Sequence, residues 1–292
     1  MIIAHHQFEL LEKLILALDD ERNDIFVHID AKVKSFDFDR FRNLTKYSRV
    51  IFTKKRVNVT WGDFSQVQSE MVLLQTAVAH ENAEKPYAYF HLISGVDLPI
   101  KSNDEIHHFF DTHNGKEFIH YTSNKVEQLS VNRLQYYHLF RRRRNTFTKY
   151  LAQLALRLQK KLGVNRLKDT DLRVQKGSNW FSITGELAHY IIADIKQYEK
   201  VFCYSYCGDE TFVQTIVESS PYKENLYMPD CNNNHEACMR LIDWDRGNPY
   251  VWRSADYDEI MGSPCMFARK FDLTVDAAIV DKILIGLDKY NY

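Results

Sequence analysis

Ala88-Tyr89-Phe90-His91-Leu92-Ile93-Ser94-Gly95-Val96-Asp97-Leu98-Pro99 is the stretch on which the architecture turns. Its first six residues are aromatic and branched and end at a Ser-Gly turn, as expected for a strand buried on both faces of a sheet. Upstream, residues 64–80 place Val67, Met71, Leu74 and Val78 on one helical face. Before that helix, residues 2–5, 24–29 and 49–53 read as three further strands. Phe8, Leu11, Leu14, Ile15 and Leu18 have the spacing of a helix packed on a sheet. Downstream, Ser102-Asn103-Asp104-Glu105 has capping-box spacing, and residues 117–121 offer one more strand. Strands alternating with amphipathic helices predict an α/β fold with a mostly parallel sheet. The glycine fingerprint of dinucleotide enzymes is missing, which argues against NAD.

With 292 residues, 45% of them hydrophobic and 26% charged, the chain is long enough for one large folded domain. Its longest unbroken apolar run is Leu14-Ile15-Leu16-Ala17-Leu18, far below the roughly 20 residues that cross a bilayer. Met1 is followed directly by Ile2-Ile3-Ala4 without a basic segment, so no cleavable leader is expected. Five cysteines, Cys203, Cys207, Cys231, Cys238 and Cys265, form an odd and sparse set that reads as reduced thiols of a cytoplasmic protein. Without internal repeats or Gly/Ser/Pro-rich linkers, a single domain over 1–292 is expected. Within it, 1–125 and 169–292 are expected as two halves with a basic helical insertion over 136–168 between them.

The net charge of −1 conceals an asymmetry. Residues 141–168 carry ten basic residues and no acidic ones, leaving −11 on the rest of the chain. Phe147, Tyr150, Leu151, Leu154, Leu158 and Leu162 share one helical face there, preceded by Arg141-Arg142-Arg143-Arg144. Such a segment suits an anionic membrane surface, nucleic acid or a solvated helix packed on the core. Nucleic acid is the least favoured of the three.

Four short segments bear on chemistry. Phe267-Ala268-Arg269-Lys270-Phe271-Asp272 sets two cations between apolar anchors, a candidate anion site, since Arg offers a planar fork of donors and Lys a compact charge. Ser94-Gly95-Val96-Asp97-Leu98-Pro99 occupies the place of a metal-binding Asp-x-Asp pair but has a single carboxylate. Lys176-Gly177-Ser178-Asn179-Trp180 offers hydroxyl partners beside an aromatic platform. Gly208-Asp209-Glu210-Thr211-Phe212 offers a carboxylate suited to general-base work, Glu210 in preference to Asp209. Asp209 alternatively suits an N-cap of the helix that follows. The twelve histidines show no spacing that assembles them; His107-His108 point apart on one helix.

The order and spacing of these four segments resemble glycosyltransferase family 14, which holds the core-2/I-branching N-acetylglucosaminyltransferases and the peptide xylosyltransferases. The resemblance runs from Ile2 to about Asp272 and is weakest over 140–168. It implies a GT-A-like Rossmann-type α/β/α sandwich. The implied enzyme is an inverting, metal-independent transferase without a cofactor, taking N-acetylglucosamine or xylose from a UDP-sugar to a glycan or lipid-linked saccharide. Glu210 is the implied base, and Arg269 and Lys270 the implied diphosphate ligands. Arg253 is a further phosphate contact, with Arg246 competing for that role. His5, Asp30 and Asp97 fall to the nucleoside, Ser178 and Trp180 to the sugars, and no residue to a metal. Val59-Thr60-Trp61-Gly62-Asp63 matches another family segment, with Trp61 as pocket wall or core. Cys207-Gly208 stands where relatives often have proline. A bacterial cytoplasmic enzyme of surface polysaccharide synthesis is expected, peripheral at the inner face of the plasma membrane. The rival is a non-catalytic module binding membrane lipid or nucleic acid through 141–168.

Overall fold

The computed structural model describes residues 1–123, 125, 127–142, 145–230 and 232–288; Arg143, Arg144 and Cys231 lie outside them. The strands are β1 (Ile2–Ala4), β2 (Asp24–Ile29), β3 (Arg49–Phe52), β4 (Tyr89–Ser94), β5 (Leu98–Pro99), β6 (Phe118–Ile119), β7 (Phe181–Thr184), β8 (Arg240–Ile242) and β9 (Phe267–Arg269). Six of them form one sheet in the order β3-β2-β1-β4-β7-β6, and the other three form a small sheet in the order β5-β9-β8. β1, β2, β3 and β4 run parallel, whereas β7 is antiparallel to both β4 and β6. The expected α/β class is thus observed, with a mixed outer half that the strand pattern did not reveal.

Alternation along each strand divides the core. Ile25, Val27 and Ile29 of β2 face a cluster holding Leu10, Leu11, Leu14 and Ile15 of the helix Phe8–Ala17. Phe26 faces the opposite cluster, with Val67, Met71 and Leu74 of the helix Ser65–Val78. Burial on both faces explains why these strands read as nearly continuous apolar runs. Fully burying each such aliphatic side chain contributes about 1.5–3 kcal/mol.

Strand direction places the functional loops on one edge. There β1 is followed by His5, β2 by Asp30 and β4 by Gly95, and Ile2 of β1 lies beside Ile93 of β4. Because β7 is antiparallel, its beginning lies at the same edge: Phe181 pairs with Leu92, so the preceding Lys176-Gly177-Ser178-Asn179-Trp180 segment sits beside Ser94. β6 runs opposite to β7, so His120 and the residues after it leave from that edge too.

The small sheet brings the two most distant motifs together. Leu98 pairs with Ala268 and Pro99 with Phe267, and the Phe271 N–H donates to the Val96 carbonyl at 2.9 Å. Buried Arg240 joins the two sheets: it donates to the carbonyls of Leu92 at 3.1 Å and Phe181 at 2.7 Å and lies 4.6 Å over the Phe267 ring. Those carbonyls and the ring offset much of the cost of burying the cation, although its Nε makes no hydrogen bond.

The helix Ser102 caps forms the expected capping box. The basic segment does form a helix, Thr146–Lys161, and none of its residues is buried. Cys203, Cys207, Cys238 and Cys265 are free thiols. Among the described residues no helix is long and apolar enough to cross a membrane.

Candidate active site

A cavity of about 820 Å³ opens on the edge where the loops converge. Six of the sequence-predicted site residues line it: His5, Ser178, Trp180, Glu210, Arg269 and Lys270. Asp30, Asp97 and Arg253 are not among its lining residues.

Arg269 ends β9 and its side chain is largely shielded from solvent. Its Nη1 lies 3.7 Å from the Asp97 carboxylate, and its guanidinium stacks 4.3 Å over the Trp180 ring. Nε and Nη1 have no hydrogen-bond partner within the protein. Burial lowers the Arg269 pKa and nearby Asp97 raises it, with burial the larger effect. Buried unpaired donors in a cavity wall are suited to an anionic ligand, because an unmade bond to a buried charged donor is costly.

Asp97 therefore has a different place from the one expected for a nucleoside contact. It accepts hydrogen bonds from the Ser94 N–H at 2.8 Å and hydroxyl at 2.5 Å, and braces Arg269 from behind. Trp180 likewise has one ring face covered by the Arg269 guanidinium instead of open to a ligand. Trp61 and Trp244 line the cavity and are 59% and 48% exposed. For Trp61 this settles the choice between wall and core in favour of wall.

Arg253 is exposed, and its backbone N–H donates to Asp256. Its competitor Arg246 is held by Asp243, Asp256 and Glu259. The residue of that segment which does serve the cavity is Trp252. Fully buried, it donates from its indole to the Arg269 carbonyl at 2.8 Å and from its backbone to the Lys270 carbonyl at 3.1 Å, fixing both peptides.

At the other wall, Glu210 closes a short 3-10 turn, Gly208–Glu210. Its Oε2 accepts from Arg133 Nη1 at 2.6 Å and lies 3.7 Å from Lys176 Nζ. The side-chain hydrogen bond that Glu210 accepts among the described residues goes to Oε2 and not to Oε1. The Gly177 N–H donates to the Glu210 carbonyl at 2.8 Å. A Cβ at Gly177 would stand 1.7 Å from the His120 carbonyl oxygen, so only glycine lets this loop pass.

Asp209 is not a helix cap: the following helix, Phe212–Glu218, starts from Thr211 without side-chain capping. Instead, Asp209 accepts from Gln66 Nε2 at 2.7 Å. Burial first, and Glu210 second, push its carboxyl up to about 7. Glu70 is buried against the same cavity and raised well above the ordinary range, again by burial and then by Asp209. The wall thus holds a cluster of carboxylates where the sequence pointed to one. Glu70 and Gln66 were invisible in the sequence because a helix facing a core normally presents apolar residues there.

The histidines also assemble, contrary to expectation. His5 and His6 have ring centroids 4.1 Å apart, and His120 stacks on His235 at 4.1 Å with 3° between planes. His120 Nδ1 accepts from the Ser178 N–H at 2.9 Å, which places the ring proton on Nε2. Burial lowers the His120 pKa and, with help from His120, brings His235 to about 4. Both are neutral wall residues at pH 7. Among the described residues no three His, Cys, Asp or Glu side chains converge as a cation cage.

An open α/β sheet with a polar cavity at its carboxyl edge carries a buried arginine, with donors that make no hydrogen bond in the protein, on one wall and a carboxylate on the other, the arrangement of a ligand pocket suited to an anion. The comparisons narrow this class. The family model described as "Core-2/I-Branching enzyme" matches residues 1–269, and the chain belongs to that glycosyltransferase family. It is 22% identical over 303 residues to Xylosyltransferase 2 of Canis lupus familiaris, covering 96% of this chain and 32% of that protein. It is also 22% identical over 301 residues to Xylosyltransferase 1 of Homo sapiens, covering 97% and 29%. The chain thus spans about a third of the length of these relatives. Mouse xyloside xylosyltransferase 1 in its apo form aligns with a TM-score of 0.37 at 13% identity, covering 91% of this chain and 95% of that one.

Proposed function

We propose that this chain transfers a sugar of the N-acetylglucosamine or xylose type from a UDP-sugar to a hydroxyl of a glycan acceptor, with inversion and without a metal. The observation that carries the reading is the buried Arg269 guanidinium, whose Nε and Nη1 donors are unpaired in the wall of the cavity that also holds Glu210. The acceptor oxygen attacks the anomeric carbon, and Glu210 takes its proton. The bond from that carbon to the β-phosphate oxygen breaks, and the electron pair leaves with UDP. Arg269 and Lys270 receive the growing charge as fixed cations, which lowers the barrier without reorganisation. Arg133 and Lys176 hold Glu210 through Oε2, leaving Oε1 for the acceptor hydroxyl. Single displacement by one base implies inversion, through an oxocarbenium-like transition state of the kind met in glycoside hydrolysis. A lipid-linked saccharide acceptor, a role in surface polysaccharide synthesis and a cytoplasmic setting belong to the same proposal.

Calorimetric titration with UDP tests it. Binding that is indifferent to EDTA and lost in Arg269→Ala/Lys270→Ala supports the metal-free diphosphate site. Glu210→Gln should keep UDP binding and lose turnover in a screen of UDP-sugars. No UDP binding by the unaltered protein, with or without added Mn²⁺, would sink the reading.

A further inference from the structure

The helix Thr146–Lys161 carries a stripe that the rest of the molecule leaves uncovered. Phe147, Tyr150, Leu154, Leu158 and Leu162 are each between 49% and 69% exposed. At 100° per residue they fall within about a third of the helix circumference, forming one continuous ridge. The side next to the ridge faces the protein: Ala152, Ala155, Leu156 and Gln159 are half-buried, and Leu151 is half-buried at the boundary where the ridge meets that side. There Gln159 exchanges hydrogen bonds with the Tyr137 backbone, at 2.8 Å from the N–H and 3.0 Å to the carbonyl. The helix is thus seated by Gln159, its alanines and Leu156, while Phe147, Tyr150, Leu154, Leu158 and Leu162 stay outside that contact.

Charge decides what fits that ridge. Residues 141–168 contain ten cations and no anion in a chain otherwise net negative. Arg157 and Lys161 project beside the ridge, with Lys149 and Lys160 farther round, all exposed. A second copy of this chain would bring like charge against like across the contact. An anionic lipid surface meets both features, taking the apolar ridge among its acyl chains and the cations among its headgroups.

The start of the segment touches the cavity rim. Arg141 lies 3.8 Å over the Tyr206 ring, whose edge meets Trp61 with centroids 6.2 Å apart. Arg142 Nε is 3.6 Å from Asp63. We infer that Thr146–Lys161 is an interfacial helix that docks the protein on an anionic bilayer and holds the Trp61 side of the cavity mouth at the membrane surface. The inference rests on surface features and not on the identity of the donor sugar.

Flotation with vesicles of phosphatidylcholine containing phosphatidylglycerol, against phosphatidylcholine alone, tests it. The unaltered protein should float only with the anionic vesicles and be released by high salt. Phe147→Ser/Leu154→Ser/Leu158→Ser should abolish flotation, and Arg157→Gln/Lys160→Gln/Lys161→Gln should weaken it by about fivefold per charge removed. Since these side chains are exposed, UDP affinity should stay unchanged in both variants, which separates failure of docking from failure of the nucleotide site. Absence of flotation by the unaltered protein overturns the inference, as does flotation indifferent to both variants. It is equally overturned if the ridge variant turns a dimer into a monomer in light scattering, or if the segment retains RNA but not vesicles.

Discussion

Arg269→Met gives a sharp test of the site, because the same guanidinium has opposite meanings for the free and the liganded protein. In the free protein Nε and Nη1 are buried without a hydrogen-bond partner, while Asp97 keeps both Ser94 hydrogen bonds whether or not Arg269 is present. Removing the cation therefore forfeits a stacking contact with Trp180 worth about 1–2 kcal/mol, together with a screened attraction to Asp97 across 3.7 Å. It also removes unpaired buried donors that cost about 1–3 kcal/mol. These effects oppose one another, so stability should change by no more than about 1 kcal/mol, a shift of roughly 2–4 °C in Tm for a domain of this size. With UDP bound, the variant lacks at least one charge-assisted hydrogen bond of about 1.5–3 kcal/mol, which is roughly 10- to 150-fold in Kd. Differential scanning fluorimetry without UDP and calorimetry with it read the two quantities separately. If Arg269→Met unfolds the protein while UDP still binds the surviving fraction with unaltered affinity, Arg269 is a structural cation and the diphosphate assignment fails.

Asp209 predicts how stability depends on pH. Its carboxyl is raised in the folded protein to about 7 from an unfolded value of 3.8, so the folded state holds a proton that the unfolded chain has released. The associated stability is fully present below about pH 4 and is lost as pH rises through 7. Asp209→Asn, which cannot ionise, should melt at a higher temperature than the unaltered protein at pH 8, and the gap should narrow through pH 5 and close below about pH 4; a gap independent of pH would contradict the assignment. Gly177→Ala puts a Cβ against the His120 carbonyl and should destabilise by roughly 3 kcal/mol, within the range of severe backbone and overpacking substitutions. Turnover should fall further than UDP affinity, since Gly177 supports Glu210 and not Arg269; equal losses of both, read by initial rates and calorimetry, would show a general collapse.

Much of the first half of the fold was legible in the sequence. Strands at 2–5, 24–29, 49–53 and 88–93 and the helices between them appear within a residue or two of their expected bounds, because burial on two faces and helical periodicity leave a local trace. The direction of β7 and the pairing of β5 with β9 left none, since pairing between residues as far apart as Leu98 and Ala268 depends on surfaces that local pattern does not encode.

The same boundary runs through the site. Sequence alone determined that Arg269, Lys270, Glu210, Ser178, Trp180 and His5 are residues of the right chemical type in the right order, and the cavity gathers all six. Only tertiary structure decided that Asp97 braces an arginine, that Arg253 stays outside while Trp252 grips the Arg269 and Lys270 peptides, and that Glu70 stands near Asp209 and Asp209 near Glu210. It also decided that His120 and His235 meet face to face. A residue's chemistry is local and survives in the sequence; its protonation, its partner and the face it presents are set by groups brought near from elsewhere in the chain.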